Sequence, residues 1–136
     1  MSLYEGGCRC GQLRYRASAP PRFAGLCFCS DCRKSSGSGF IPFMGFAASD
    51  VAFRGVTRQV RCPAFKGGEA VRNLCAECGS LVFGGIVGTD ESHTIYAGSL
   101  DDPSLFKPEV AIFVRDRPDW AILPPGLTCF ETMPEG

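Results

Sequence analysis

The sequence predicts a mainly β fold of several short antiparallel sheets, with few or no long helices. Three observations lead there. Seventeen glycines and ten prolines among 136 residues interrupt any long regular element. Hydrophobic residues make up 45% of the chain and include eleven Phe, enough apolar material for a core. Short segments also alternate apolar and polar residues, the period of a half-buried strand. No break in composition marks a second unit, so residues 1–136 are expected to form a single domain.

The elements follow in order. Gln12 to Ala17 alternates, with Leu13, Tyr15 and Ala17 set against Arg14 and Arg16. Pro20-Pro21 forces an extended break, and Arg22 to Cys27 is expected as the next strand. Asp31 to Gly39 is polar and glycine-rich, which predicts a turn or a single helical turn. Phe40 to Ala48 predicts a buried strand with an irregularity at Gly45, and Val51 to Arg54 a short one after the Ser49-Asp50 turn. Thr57 to Phe65 and Ala70 to Leu74 flank Lys66-Gly67-Gly68-Glu69, a hairpin-type turn. Leu81 to Val87 is rich in β-formers, and Gly84-Gly85 is expected to bulge it. Thr94 to Ala97 and Val110 to Val114 complete the strands. From Pro118 the tail is proline-rich, with Trp120 expected as its core anchor.

Fourteen basic and fourteen acidic side chains give a formal net charge of zero, with no basic tract to attract nucleic acid. The start, Met1-Ser2-Leu3-Tyr4-Glu5-Gly6-Gly7, lacks the apolar stretch of a secretory signal. The most apolar run, Phe40 to Ala48, is interrupted by Pro42 and Gly45 and is too short to span a bilayer. A cytoplasmic protein without a membrane partner is expected. In such a reducing compartment clustered cysteines serve as metal ligands or redox groups more often than as disulfides.

Seven of the nine cysteines are clustered: Cys8 with Cys10, Cys27 with Cys29 and Cys32, and Cys75 with Cys78. Sulfurs so spaced can converge on a soft tetrahedral ion such as zinc. Gly11 follows Cys10 and Gly79 follows Cys78, where positive φ lets backbone N–H groups turn toward thiolates. Arg33 follows Cys32 instead. This places Cys8, Cys10, Cys75 and Cys78 on one closed structural site, which would staple the two ends of the fold with on the order of 10 kcal/mol.

Cys27, Cys29 and Cys32 are one donor short of a tetrahedron, the pattern of a catalytic zinc with an open position. Three thiolates leave the centre with a net charge of −1. That disfavours activating water and favours an incoming thiol as fourth ligand. Three alternatives stay open: a metal-free redox cluster, closure of the site by Asp31, His93 or Cys62, and a redox sensor that ejects its metal on oxidation.

Taken together, Gly7-Cys8-Arg9-Cys10-Gly11, the trio running on through Arg33-Lys34-Ser35-Ser36-Gly37, Cys75-Ala76-Glu77-Cys78-Gly79-Ser80, Gly98-Ser99-Leu100-Asp101-Asp102-Pro103 and Trp120 make a recognisable set. The chain resembles the glutathione-dependent formaldehyde-activating enzymes, the S-(hydroxymethyl)glutathione synthase-like proteins, over residues 5 to 125. The resemblance implies a zinc-containing β-tent fold with two zinc ions per chain. Cys8, Cys10, Cys75 and Cys78 would hold a structural ion. Cys27, Cys29 and Cys32 would hold a second that engages the glutathione thiol. It also implies a carbon–sulfur lyase chemistry that condenses formaldehyde with glutathione. Family members commonly carry His between the first two cysteines of the trio. This chain has Phe28, expected as an apolar group beside the open position. A non-catalytic zinc module or thiol-ligand carrier is the alternative that Phe28 favours.

Of the remaining residues, Arg33 and Lys34 are candidates to meet the carboxylates of a glutathione-like ligand. His93 sits after Thr89-Asp90-Glu91-Ser92 and is expected in a solvated loop. Asp101-Asp102-Pro103 fits a capped helical turn better than an acidic pair. Cys62 and Cys129 have no clustered partner and are expected as small apolar residues or spare thiols.

Overall fold

Alternation at Arg14–Ala17 produces the half-buried strand it predicts: Tyr15 and Ala17 face the core and Arg16 faces solvent. This is strand β2 in a computed structural model that describes residues 3–134. Met1 and Ser2, part of the N-terminal reading above, lie outside the described residues. Strand β2 is the centre of a three-stranded antiparallel sheet, flanked by β1 (Tyr4–Gly7) and β5 (Val51–Arg54).

An eight-stranded sheet carries the rest. It comprises β3 (Phe23–Cys27), β4 (Ile41–Ala47), β6 (Thr57–Pro63), β7 (Glu69–Cys75), β8 (Leu81–Gly84), β9 (Ser92–Tyr96), β10 (Val110–Ile112) and β11 (Thr128–Cys129). Their spatial order is β11-β10-β3-β4-β9-β8-β7-β6. The fold is thus mainly β, with eleven strands and one α-helix, α1 (Ser30–Ser36), among the described residues. No helix among them is long and apolar enough to cross a membrane.

The two sheets meet through apolar faces. Tyr15 and Leu13 from the small sheet's side join Met44, Phe46, Val82, Phe83 and Ile95 in one buried cluster. Phe53 on β5 stacks on Phe83 on β8, with ring centroids 3.9 Å apart. Each large side chain so buried contributes about 2 kcal/mol of transfer free energy, which holds strands this short in place.

Several expectations need correction. The large sheet is not wholly antiparallel: β10 runs parallel to both β3 and β11. Parallel pairing needs a long crossover, which residues 113–127 supply before the proline-rich tail returns as β11. Residues 30–36 form a two-turn helix, longer than the turn or single helical turn expected, closed by Gly37 in the left-handed region at φ 69°. β4 is regular through Gly45, pairing without a shift on both sides. Glycine there lets the Phe23 ring lie over the strand, since a Cβ would stand 2.0 Å from that ring and displace it. The irregularity between β7 and β8 falls at Val82, since Leu74 faces Leu81 and Asn73 faces Phe83. Trp120 is 69% exposed, and the neighbouring Ala121 is the buried residue of that segment. Asp102 does cap a 3₁₀ turn at Pro103–Leu105, its Oδ1 accepting from Ser104 N at 3.1 Å.

Candidate metal centres

The turn between β1 and β2 carries Cys8 and Cys10, and the turn leaving β7 carries Cys75 and Cys78. Their four sulfurs lie within 4.8 Å of one another. Cys8 Sγ and Cys10 Sγ are 3.6 Å apart, and Cys10 Sγ and Cys75 Sγ 3.7 Å. Sulfurs bonded to one zinc at tetrahedral angles stand about 3.8 Å apart, so the donor set fits such an ion closely.

Backbone N–H groups surround these sulfurs. Leu13 N donates to Cys8 Sγ at 3.2 Å, and Glu77 N and Cys78 N both donate to Cys75 Sγ at 3.4 Å. The Gln12 amide adds a donor to Cys75 Sγ at 3.2 Å. Gly11 and Gly79, at φ 86° and 75°, make the turns that permit this. The N–H of Cys78 and the Gln12 amide hold the Cys75 thiol below its ordinary pKa. The Ser80 hydroxyl and its N–H bring Cys78 down to about 5. Both therefore favour the thiolate that a metal needs.

The second cluster forms where β3 ends and α1 begins. Cys27 closes β3, Cys29 is the N-cap of α1, and Cys32 lies in its first turn. Cys29 Sγ accepts from Cys32 N at 3.2 Å. The three sulfurs also lie within 4.8 Å of one another, so this trio too could hold a metal ion. Donation from the Cys27 and Cys32 thiols and from the N–H groups of Cys32 and Asp31 brings Cys29 down to about 2. Cys27 is correspondingly raised, because its proton is held toward Cys29 and Cys32 and because it is buried. A bound cation would take the place of those shared protons.

None of the three proposed fourth donors joins the trio: among the described residues it contains no other Cys, His, Asp or Glu. Cys62 points its thiol at Ala70 O, 3.7 Å away. His93 is 3% exposed and lies inside the core, not in a loop. It pairs with Phe46 across β4 and β9, and its ring meets Phe53 edge-on at 5.0 Å. Its Nδ1–H donates to Gly84 O at 3.0 Å. His93 shares the buried face of β9 with Ile95, and this period of two was the available sign of its burial.

Phe28 also sits elsewhere than expected. It is 0% exposed and packs with Leu26, Ala111 and Ala121, its ring 5.4 Å from Phe40. Cys27 and Cys32 belong to a different cluster with Ile41, Phe43, Ile112 and Phe113. Extended chain sends successive side chains to opposite faces, so Phe28 turns away from the flanking sulfurs. Phe28 is therefore a residue of the core and does not border the open side of the trio.

An open groove of about 780 Å³ begins at Cys27 and Cys32. Phe43, Phe113, Tyr96 and Arg72 are among its walls. A second groove, of about 510 Å³, borders Cys29, Asp31 and Cys62 and shares Arg72 with the first. Arg33 is half-buried and Lys34 exposed on α1, and neither lines either groove. The cation that reaches the trio is Arg72, whose Nη2 lies 3.9 Å from Cys32 Sγ. Sequence reasoning missed it because the trio sulfur it meets is forty positions away. The one local sign was a charged residue in the alternating, half-buried strand β7.

Residues 3–116 match the sequence profile of the glutathione-dependent formaldehyde-activating enzymes, the greater part of the chain. The chain belongs to that family. A Halomonas elongata protein that carries the family's name is 29% identical over 124 residues, covering 87% of this chain and 79% of the relative. Among solved structures, a Rhodobacter sphaeroides protein superposes with a TM-score of 0.53 at 21% identity. That match covers 71% of this chain and 87% of the other and concerns the fold alone. The resemblance read from the cysteine motifs is therefore correct at the level of family.

Proposed function

We propose that this member of the glutathione-dependent formaldehyde-activating family is a zinc enzyme that joins a thiol cosubstrate, glutathione or a close relative, to a small aldehyde. The observation that carries this reading is the trio itself. Three sulfurs converge, no fourth protein donor joins them among the described residues, and a groove large enough for a tripeptide-sized ligand opens beside them.

In this reading Cys8, Cys10, Cys75 and Cys78 hold a structural zinc, and Cys27, Cys29 and Cys32 hold a second. Bound at the trio, zinc would lower the pKa of an incoming thiol so that it stands as a thiolate at neutral pH. The net reaction, R–SH + H₂C=O → R–S–CH₂–OH, forms one carbon–sulfur bond and opens the carbonyl π bond. The proton leaves sulfur and ends on oxygen. It corresponds formally to a carbon–sulfur lyase running in reverse. Phe43, Ile112 and Phe113 give one side of the groove an apolar wall. Burial pushes Tyr96 up to about 12, so its phenol remains a protonated O–H donor in the groove. Phe28 faces another part of the core and lends no support to a non-catalytic zinc module.

The test is to count zinc in the wild type and in Cys29→Ser, each titrated with glutathione. Two zinc ions per wild-type chain, one in the variant, and glutathione binding only to the wild type are expected. One zinc in both proteins would end the proposal.

A further inference from the structure

We propose that Arg72 selects the charge of the ligand at the thiol site: its guanidinium biases the open face of the Cys27–Cys29–Cys32 centre toward an anionic donor over a neutral one. The inference rests on the functional reading above, in which that centre carries a metal. It assigns the site's preference for a thiolate to a residue outside the cysteine motifs.

Three observations converge on Arg72. The first is its placement. Val71 and Asn73 are buried on one face of β7, so the side chain between them turns to the other face, where the groove runs. Its Nη2 reaches to 3.9 Å from Cys32 Sγ, and its guanidinium carbon stands 6.0 Å from the centre of the Tyr96 ring. The arm is therefore held between a trio sulfur and an aromatic wall.

The second is the lack of a carboxylate partner. None of the ion pairs among the described residues includes Arg72. Of the three acidic residues along the groove, Glu69 faces Arg61 at 3.8 Å and Asp90 accepts the Ile86 N–H at 2.6 Å, while Glu91 forms no ion pair with Arg72. The buried Nε of Arg72 has no acceptor among the described residues. An unsatisfied buried donor is unfavourable until an acceptor arrives, and an anionic acceptor relieves it best.

The third is charge. A divalent ion with three thiolates carries −1, and a fourth thiolate alone would make it −2. With one fixed cation at the rim, those sums become 0 and −1. The apolar walls Phe43, Ile112 and Phe113 weaken solvent screening, so the difference is felt at the open position. Arginine suits the task because it stays protonated even when partly buried.

The experiment uses zinc-loaded wild type, Arg72→Met, Arg72→Gln and Arg72→Lys. Each is titrated calorimetrically with glutathione, 2-mercaptoethanol and imidazole, and zinc is counted before and after. We expect Met and Gln variants to keep two zinc ions and to bind both thiols roughly tenfold to a hundredfold more weakly. Imidazole binding should change less than about twofold, and Lys should recover most of the thiol affinity. Having two neutral variants keeps a folding defect in one of them from deciding the matter.

Unchanged thiol affinity in the neutral variants would overturn the inference. So would equal weakening of thiols and imidazole, which marks a packing role, or loss of the second zinc, which marks metal retention. Weakening confined to glutathione would also overturn it, because Arg72 would then be reading a carboxylate of that peptide. A wild type that keeps two zinc ions but binds no thiol brings down the functional reading, and this inference with it. That failure is seen in the wild-type titration alone.

Discussion

Cys10 Sγ and Cys75 Sγ lie 3.7 Å apart although 65 positions separate them in the chain. The contact joins the turn of the small sheet to the end of β7 in the large one, a link that no hydrogen-bonded ladder makes. Cys75→Ser should therefore do more than remove a thiol. With a zinc ion bound by this group, the variant loses one zinc and several kcal/mol of stability, on the order of 10 at most. Thermal melts with and without a strong chelator check this. Chelator should lower the wild-type melting temperature sharply and that of Cys75→Ser, which retains only the trio's ion, by less. Cys129→Ser, at an exposed position in β11, is the control and should melt like the wild type.

Phe28→His tests which face of the chain that residue serves. Were the ring beside the open position, histidine there would alter thiol binding and leave stability alone. Fully buried against Leu26, Ala111 and Ala121, it should do the reverse. Loss of a buried aromatic ring and burial of an imidazole without a partner cost about 3 kcal/mol or more. Chemical denaturation should show that loss, while the folded variant keeps its zinc content and glutathione affinity.

His93 gives a parallel case. Its Nδ1–H donates to Gly84 O, and its ring fills the space beside Phe53 and Phe83. His93→Ala removes the ring, creates a cavity and leaves that carbonyl without its side-chain donor. The expected loss is about 3 kcal/mol in denaturant unfolding. Zinc stoichiometry and thiol affinity should be unchanged. A selective loss of thiol binding would instead mean that His93 reaches the site.

How much of this was legible in the sequence depends on the distance over which each feature is encoded. Residues two or three apart carry the cysteine groupings, and the glycines after Cys10 and Cys78 distinguish one grouping from the other. The strand containing Tyr15 and Ala17 is equally local. The same period of two also held the orientation of Phe28 against Cys27 and Cys29, and the burial of His93 with Ile95. The family motif and the polar residues before His93 drew the reading elsewhere. Other features arise only from register. Arg72 meets Cys32 because β7 lies opposite Gly84 on one side and Val60 on the other, fixing where its side chain emerges. The parallel pairing of β3 with β10 joins segments more than eighty residues apart, beyond the reach of any local pattern.

The Arg14–Asp101 pair gives a prediction in pH. Both Nη atoms of Arg14 meet the carboxylate, with Nη1 2.9 Å from Oδ1, and this ties β2 to the segment before the 3₁₀ turn. The guanidinium's hydrogen bonds hold the Asp101 pKa below its ordinary value of 3.8. A carboxyl group whose pKa falls on folding releases its proton more readily in the folded chain. It thus contributes stability above the unfolded pKa and loses it as pH falls through the folded one. The contribution should be complete at neutral pH, begin to fade below about pH 5, and vanish in stronger acid. Because both side chains are substantially exposed, screening limits it to about 1 kcal/mol or less. Asp101→Asn should consequently be slightly less stable than wild type at pH 7, with the two converging in acid. Denaturant midpoints at pH 7, 5 and 3 measure it, and a gap that widened toward pH 3 would contradict the assignment.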